Sequence, residues 1–266
     1  MSDVIVNVDN FARAETDVMI DRILQQAGAV NAIYHDRQLA PLDRQPVIRQ
    51  NRDTLYSVAI VDISHGATFT LPPFGDRYVS VMIINQDHYI NRVLHEPGTY
   101  DLTVDEFGSD YVVVAARVLF DPTDPDDLDA VHRIQDGMRV DAGSATPFAP
   151  SAFDPVTHKV TRDHLLALAE GLRGFSRSFG SVEQVDPVHH LLGTAAGWGG
   201  LPTMRRSTSH CSPGSSPGAT GSRSATCRRM RSTRSACTTA TDTSSRALPA
   251  SRTSTTCSAS RTTTDP

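Results

Sequence analysis

Apolar positions along the chain change their spacing once, early. Phe11, Val18, Ile20, Ile23 and Leu24 recur at helical intervals, with Asn10 or Asp9 able to cap the start and Gly28 near the end, so a helix is predicted from about Phe11 to Ala29. A loop containing Pro41 and Pro46 follows, and then β-branched or alternating segments take over. They predict strands at Thr54–Ile63, Thr68–Leu71, Tyr78–Ile84, Gly98–Leu102 and Tyr111–Phe120, separated by turn signals such as PPFGD. The acidic, Pro-rich stretch Asp121–Asp127 is expected to turn into a helix near Leu128–Val140, where carboxylates suit the helix dipole. Residues 142–157 read as a loop, Arg162 to about Leu172 as a helix, and Pro187–Leu192 as a short one. The order favours a mainly β or α+β class: an antiparallel β-sandwich-like domain with an N-terminal helix and short edge helices.

Composition changes this picture after about Met204. Residues 205–266 hold 15 Ser, 14 Thr and 10 Arg, and their only Leu is Leu248. Such a segment cannot bury enough apolar surface to offset chain entropy, so a disordered tail is expected there. Charge divides at the same place: residues 1–204 carry a balance of −13 and residues 205–266 a balance of +8. All four cysteines (Cys211, Cys227, Cys237, Cys257) lie in the tail, so the preceding part implies neither a disulfide nor a thiolate metal site.

A Ser/Thr/Arg segment is also what an out-of-frame translation gives. Joining the last base of each codon to the first two of the next turns ACN codons into Tyr, His, Asn or Asp. Most TCN codons become Phe, Leu, Ile or Val, and CGN codons become Ala, Pro, Ser or Thr. Read so, Thr220–Arg246 can spell YRLTVRDVPADAFYAVGMHNRDGYFEP, with alternating strands and a DG turn. The tail is therefore expected to be out of frame, and the function to reside in residues 1–203. Three parts follow: a helix-plus-strand domain over 1–140, a helical connecting segment over 141–203, and the tail over 204–266.

Two clusters carry candidate chemistry. In the first, Arg52 offers a fork of donors suited to a carboxylate, Asp53 can act as a base or orient it, and Asn51 and Tyr56 flank them as substrate-binding candidates. The plainer reading is structural, because Asn and Asp often satisfy backbone groups where a chain enters a sheet. The second cluster is Asn85, Asp87, His88 and Tyr89. Alternation would put Asn85, Asp87 and Tyr89 on one face and His88 on the other. His88 is the candidate for proton transfer near neutral pH, with Asp53 and Asp87 as catalytic partners and Asn85 and Tyr89 as binding residues. An ordinary hydrogen-bonded histidine at a rim is the competing reading. If their strands were neighbours, the two clusters could share a pocket.

The neighbouring pair His189-His190 points about 100° apart on a helix and makes a poor metal pair. Trp198, between glycines, suits packing or a tight turn. No phosphate loop, dinucleotide fingerprint, nucleophile elbow or HExxH is present. No metal is implied and no cofactor can be named. The net −13 of the first 204 residues argues against nucleic acid. The start MSDVIVNVDNF lacks a basic region and a long apolar run, so a cytoplasmic protein without a membrane segment is expected.

VIRQNRDTLYS at Val47–Ser57 and IINQDHY at Ile83–Tyr89, with DNFARAETD, DPTDPDDLDAVHRIQD and VDPVHHLLGTAAGWGG, resemble domain of unknown function 1254. In that family this domain is usually followed by domain of unknown function 1214. The resemblance covers Val8–Pro202 and implies a fold and a cleft between two β domains, but no settled chemistry. It leaves two readings: an enzyme acting on a small organic molecule, or a non-catalytic β-sandwich that binds or supports. On the frameshift reading the chain as written would lack its second domain and be inactive.

Overall fold

The computed structural model describes residues 3–39, 53–124 and 126–202. They lie within a compact unit spanning Met1–Thr208. In chain order the elements are α1 (Phe11–Ala27), β1 (Ile33–His35), β2 (Thr54–Asp62), β3 (Ala67–Leu71), β4 (Val79–Asn85), β5 (Ile90–Leu94) and β6 (Gly98–Leu102), followed by α2 (Val104–Phe107), β7 (Tyr111–Leu119), α3 (Asp127–Gly137), β8 (Arg139–Ala142), α4 (Pro155–Ala169) and α5 (Pro187–Gly197). Five strands form an antiparallel sheet in the order β1-β2-β7-β4-β5, and three form a second in the order β6-β3-β8.

The apolar runs in β4 (VSVMIIN) and β7 (YVVVAARVL) have a simple cause: the five-stranded sheet is covered on both faces. One face, formed by Leu55, Ala59 and Val61 with Val79, Val81 and Ile83 and with Val112, Val114, Ala116 and Val118, packs on Phe69 and Leu71 of the small sheet and on Val131 and Ile134 of α3. The opposite face, with Ile60, Met82, Ile84 and Val113, receives Ile20, Ile23 and Leu24 of α1 together with Phe179 and Trp198. A third cluster (Val6, Phe11, Ala14, Leu165, Leu192, Ala195) joins α1, α4 and α5 into a helical layer. Sheet, sheet and helices thus stack in three layers, the antiparallel β-rich architecture with an N-terminal helix that the spacing predicts.

The differences from expectation are local. The helix expected up to Val140 stops at Gly137, because residues Arg139–Ala142 pair with β3 as β8. Its exit is also tight: a Cβ on Gly137 would meet Pro72 Cβ at 2.7 Å. The helix expected from Arg162 begins seven residues earlier, at Pro155, where the Asp154 carboxylate accepts from the N–H groups of Val156 and Thr157. Asp186 does the same for α5, which runs on to Gly197 rather than ending at Leu192. The strands β1 and β5, too short or too mixed to stand out, were not expected. The expected division at residue 140 falls inside β8.

Candidate functional site

The IINQDHY motif does not continue as a strand. β4 ends at Asn85, and the chain turns before β5: Asn85 N–H donates to Tyr89 O at 2.9 Å and His88 N–H to Asn85 O at 3.0 Å, with His88 at φ 65°. The expected alternation of residues 85–89 across the sheet is therefore replaced by a hairpin loop, and each side chain has its own direction. Asn85 is buried and governs the loop. Its Oδ1 accepts from Asp87 N–H (3.0 Å) and Tyr89 N–H (2.8 Å), while its Nδ2 donates to Phe107 O (2.9 Å). Asp87 receives a two-pronged bond from Arg13 of α1, Nε at 2.7 Å and Nη2 at 2.6 Å.

His88 is fully buried, at 0 % exposure. Gly199 N–H donates to its Nε2 at 2.9 Å, so that nitrogen is the bare one. Nδ1 therefore carries the hydrogen and donates to Thr194 Oγ1 at 2.7 Å, and Thr194 in turn donates to His190 O at 2.8 Å. The ring stacks on Trp198 (5.2 Å, 17°) and on His190 (5.6 Å, 28°), and His190 stacks on Tyr89 (4.4 Å, 8°). Four rings from the hairpin and from the α5 region thus lie in one pile. Burial, reinforced by the neighbouring His190, pushes the His88 ring down to about 3. A ring with both nitrogens bonded, no exposure and a neutral state across the physiological range does not match the proton-transfer role expected for it.

The described part of the NRDTLYS cluster, Asp53 and Tyr56, lies elsewhere. Asn51 and Arg52 fall outside the described residues. Asp53 O accepts from Phe120 N–H at 2.8 Å where the chain enters β2. Across β7, Thr54 is paired with Leu119 whereas Asn85 is paired with Val112, so these two residues sit at opposite ends of the central sheet. Seven residues along a strand span about 23 Å. β7 also lies between β2 and β4, so the two strands are not neighbours. Tyr56 faces the helical side in one row with Arg117 and Ser80, and the Arg117 guanidinium lies over its ring at 5.4 Å.

Three polar residues of the DNFARAETD stretch were not singled out as site candidates in the sequence. Glu15, Thr16 and Asp17 are all buried. Glu15 lies 2.9 Å from His158 Nε2 and 3.1 Å from Arg162 Nε, both on α4. Thr16 accepts from Trp198 Nε1 at 3.1 Å. Asp17 Oδ2 accepts from Ser151 N–H at 3.1 Å, and burial raises the Asp17 pKa against the lowering effect of that bond. The signal was available: three consecutive polar residues on a helix otherwise patterned to face a core must include inward-facing ones.

Among the described residues no group of three or more His, Cys, Asp or Glu side chains could hold a metal ion. No helix among them is long and apolar enough to cross a membrane. His189 and His190 use their rings separately: His189 Nδ1 faces Ser176 O, while His190 faces Ser178 O and Asp87 O.

Residues 30–99, from before β1 into β6, match the family described as Protein of unknown function (DUF1254). No curated protein matches the chain. Among solved structures, the chain is similar to the VPA0106 protein from Vibrio parahaemolyticus, with a TM-score of 0.53 and 14% identity over 74% of this chain and 69% of that one. At that identity the likeness is one of fold.

Proposed function

We propose that residues 3–202 form a non-catalytic β-sandwich module with a binding or supporting role, in which IINQDHY is a structural latch. The observation that carries this reading is His88: neutral, buried, and bonded at both nitrogens between Gly199 N–H and Thr194 Oγ1. Asn85, Asp87 and Tyr89 are likewise engaged, holding the loop, α1 and α5 respectively. An enzyme site built on these residues would need at least one of them unspent. The latch reading predicts that Thr194→Val, which keeps side-chain shape and removes the acceptor for His88 Nδ1–H, costs about 1–3 kcal/mol. For a domain of this size that lowers Tm by roughly 2–4 °C per kcal/mol. A melting temperature equal to that of the parent protein would remove the latch and return the motif to catalysis.

For residues 204–266 we propose an out-of-frame translation, on the strength of their 15 Ser, 14 Thr and 10 Arg and the strand-like text in the neighbouring frame. On that reading the restored frame supplies a segment resembling domain of unknown function 1214. Sequencing the gene across the codons for Gly199–Arg206 tests it. A gained or lost base supports the proposal, and a confirmed written frame refutes it.

A further inference from the structure

Among the described residues, Arg13, Arg37, Arg77, Arg92, Arg117 and Arg162 are half-buried arginines. All but one have a carboxylate within ion-pair distance: Asp87, Asp136, Asp127, Glu106 and Glu15 stand against Arg13, Arg37, Arg77, Arg92 and Arg162 respectively. Arg117, on the central strand β7, has none among the described residues. Asp36, whose N–H donates to Tyr56 O, turns its carboxylate to the Tyr34 hydroxyl instead. The Arg117 Nη2 donates to Gly199 O at 3.1 Å and the guanidinium lies over the Tyr56 ring, but Nε is buried without a partner. One carbonyl and one ring leave the charge itself uncompensated, and taking a charge out of water without a counter-charge is costly.

The groups beside Arg117 are donors too. Ser80 of β4 is its register partner, and Thr54 of β2 stands two residues from Tyr56, on the same face of the sheet. Both are buried, at 1 % and 5 % exposure, and neither hydroxyl finds a hydrogen-bond partner. Glu15 Oε2 and His158 Nε2, also without an aligned bond, at least face each other at 2.9 Å. The two hydroxyls instead share a sheet face with a lone cation, and all three groups can donate to one acceptor. The face is open at this end. Leu119, the next residue on that side of β7, is 40 % exposed, and Arg117 and Tyr56 are only half-buried. The helices cover the other end, around Ile60, Met82, Ile84 and Val113.

We propose that Arg117 binds a small organic carboxylate on this face of the sheet, with Ser80 and Thr54 as hydroxyl donors beside it. Tyr56 and Leu119 would flank the apolar part of the ligand. The proposal rests on the binding reading and extends it to one place and one ligand class. It is judged by affinity, whereas the latch is judged by melting temperature, so either can fail without the other.

The test uses the full chain and ligand-observed NMR with benzoate and cyclohexanecarboxylate, and with benzamide as an uncharged control of matching shape. Either carboxylate should bind in about the millimolar range or tighter, and benzamide about tenfold more weakly or worse, since the guanidinium fork favours a charged acceptor. Arg117→Met keeps an apolar stem over Tyr56 and removes the charge, so carboxylate binding should fall about tenfold or more. Ser80→Ala removes a hydroxyl that has no partner in the free protein. It should leave the melting temperature unchanged or raise it while weakening carboxylate binding about threefold, and it serves if the first variant folds poorly. Equal binding of benzoate and benzamide, unchanged affinity in either variant, or no binding of either carboxylate overturns the proposal.

Discussion

The neutrality of His88 has a measurable consequence in the pH dependence of stability. An unfolded histidine takes up a proton below about pH 6.5. The folded ring, held down to about 3, does not. Stability from this group is therefore complete above about 6.5 and is lost as pH falls toward 3, because the unfolded state then binds the extra proton. Between those limits the slope is about 1.4 kcal/mol per pH unit, and the change from pH 7 to pH 5 is about 2 kcal/mol. The structure gives the cause directly: protonating Nε2 would set its hydrogen against Gly199 N–H at 2.9 Å, inside a pile of rings.

The assay compares the parent chain with His88→Asn by urea unfolding at pH 7, 6 and 5, followed by the fluorescence of the chain's one tryptophan, Trp198. Asn tolerates the positive φ of position 88 better than most residues and does not titrate, so the difference between the two proteins isolates this ring. His35, which burial also lowers, and the remaining carboxylates contribute to both curves. Asp62 acts in a separate, more acidic window. Burial raises it, but hydrogen bonds from Ser144, Ser64 and the N–H groups of Ser64 and Thr146 outweigh that and hold it at about 2. The variant should be less stable at pH 7, and the gap should shrink by about 2 kcal/mol by pH 5. Parallel curves would mean that His88 titrates alike in both states, and the account of the latch would be wrong.

Two further substitutions bear on the same region. Asn85→Ala leaves the N–H groups of Asp87 and Tyr89 and the carbonyl of Phe107 without their partner, so a loss of about 2–4 kcal/mol is expected in urea unfolding. A loss under half a kcal/mol, on the order of an ordinary surface change, would contradict it. Gly193→Ala sets helix propensity against packing: Ala gains up to about 1 kcal/mol in a helix, but its Cβ would stand 2.7 Å from Ser178 Cβ and 3.2 Å from Phe179. Packing should win, and a raised melting temperature would show that the 174–180 segment yields more easily than its contacts imply.

Much of the fold was legible because its strands are long and continuously apolar. β2, β4 and β7 occupy the middle of the central sheet, and burial on both faces leaves a run of Val and Ile that no helix of the same length would carry so plainly. β1 has only three residues and β5 reads INRVL, so neither has enough pattern to separate from a loop. β8 was hidden for another reason: Arg139–Ala142 is amphipathic at either period, and only its pairing partner β3, some seventy residues earlier, decides for a strand. Tertiary contacts of that separation leave no mark on a local window.

The candidate site was legible in its residues but not in its geometry. The sequence marks Asn85, Asp87, His88 and Tyr89 as unusual at the end of an apolar strand, and each does make a specific interaction. What alternation could not foresee is that Asn85 terminates the strand by bonding the next two available N–H groups, after which face assignment has no meaning. Nor could proximity in sequence reveal that the partners come from α1, α5 and the turn after α5, at Arg13, Thr194 and Gly199. The same residue types serve catalysis when a lone pair or proton is left facing a cleft, and serve architecture when every one is matched. That distinction lies in the count of satisfied atoms. By that count both nitrogens of the His88 ring are matched, by Gly199 N–H and by Thr194 Oγ1.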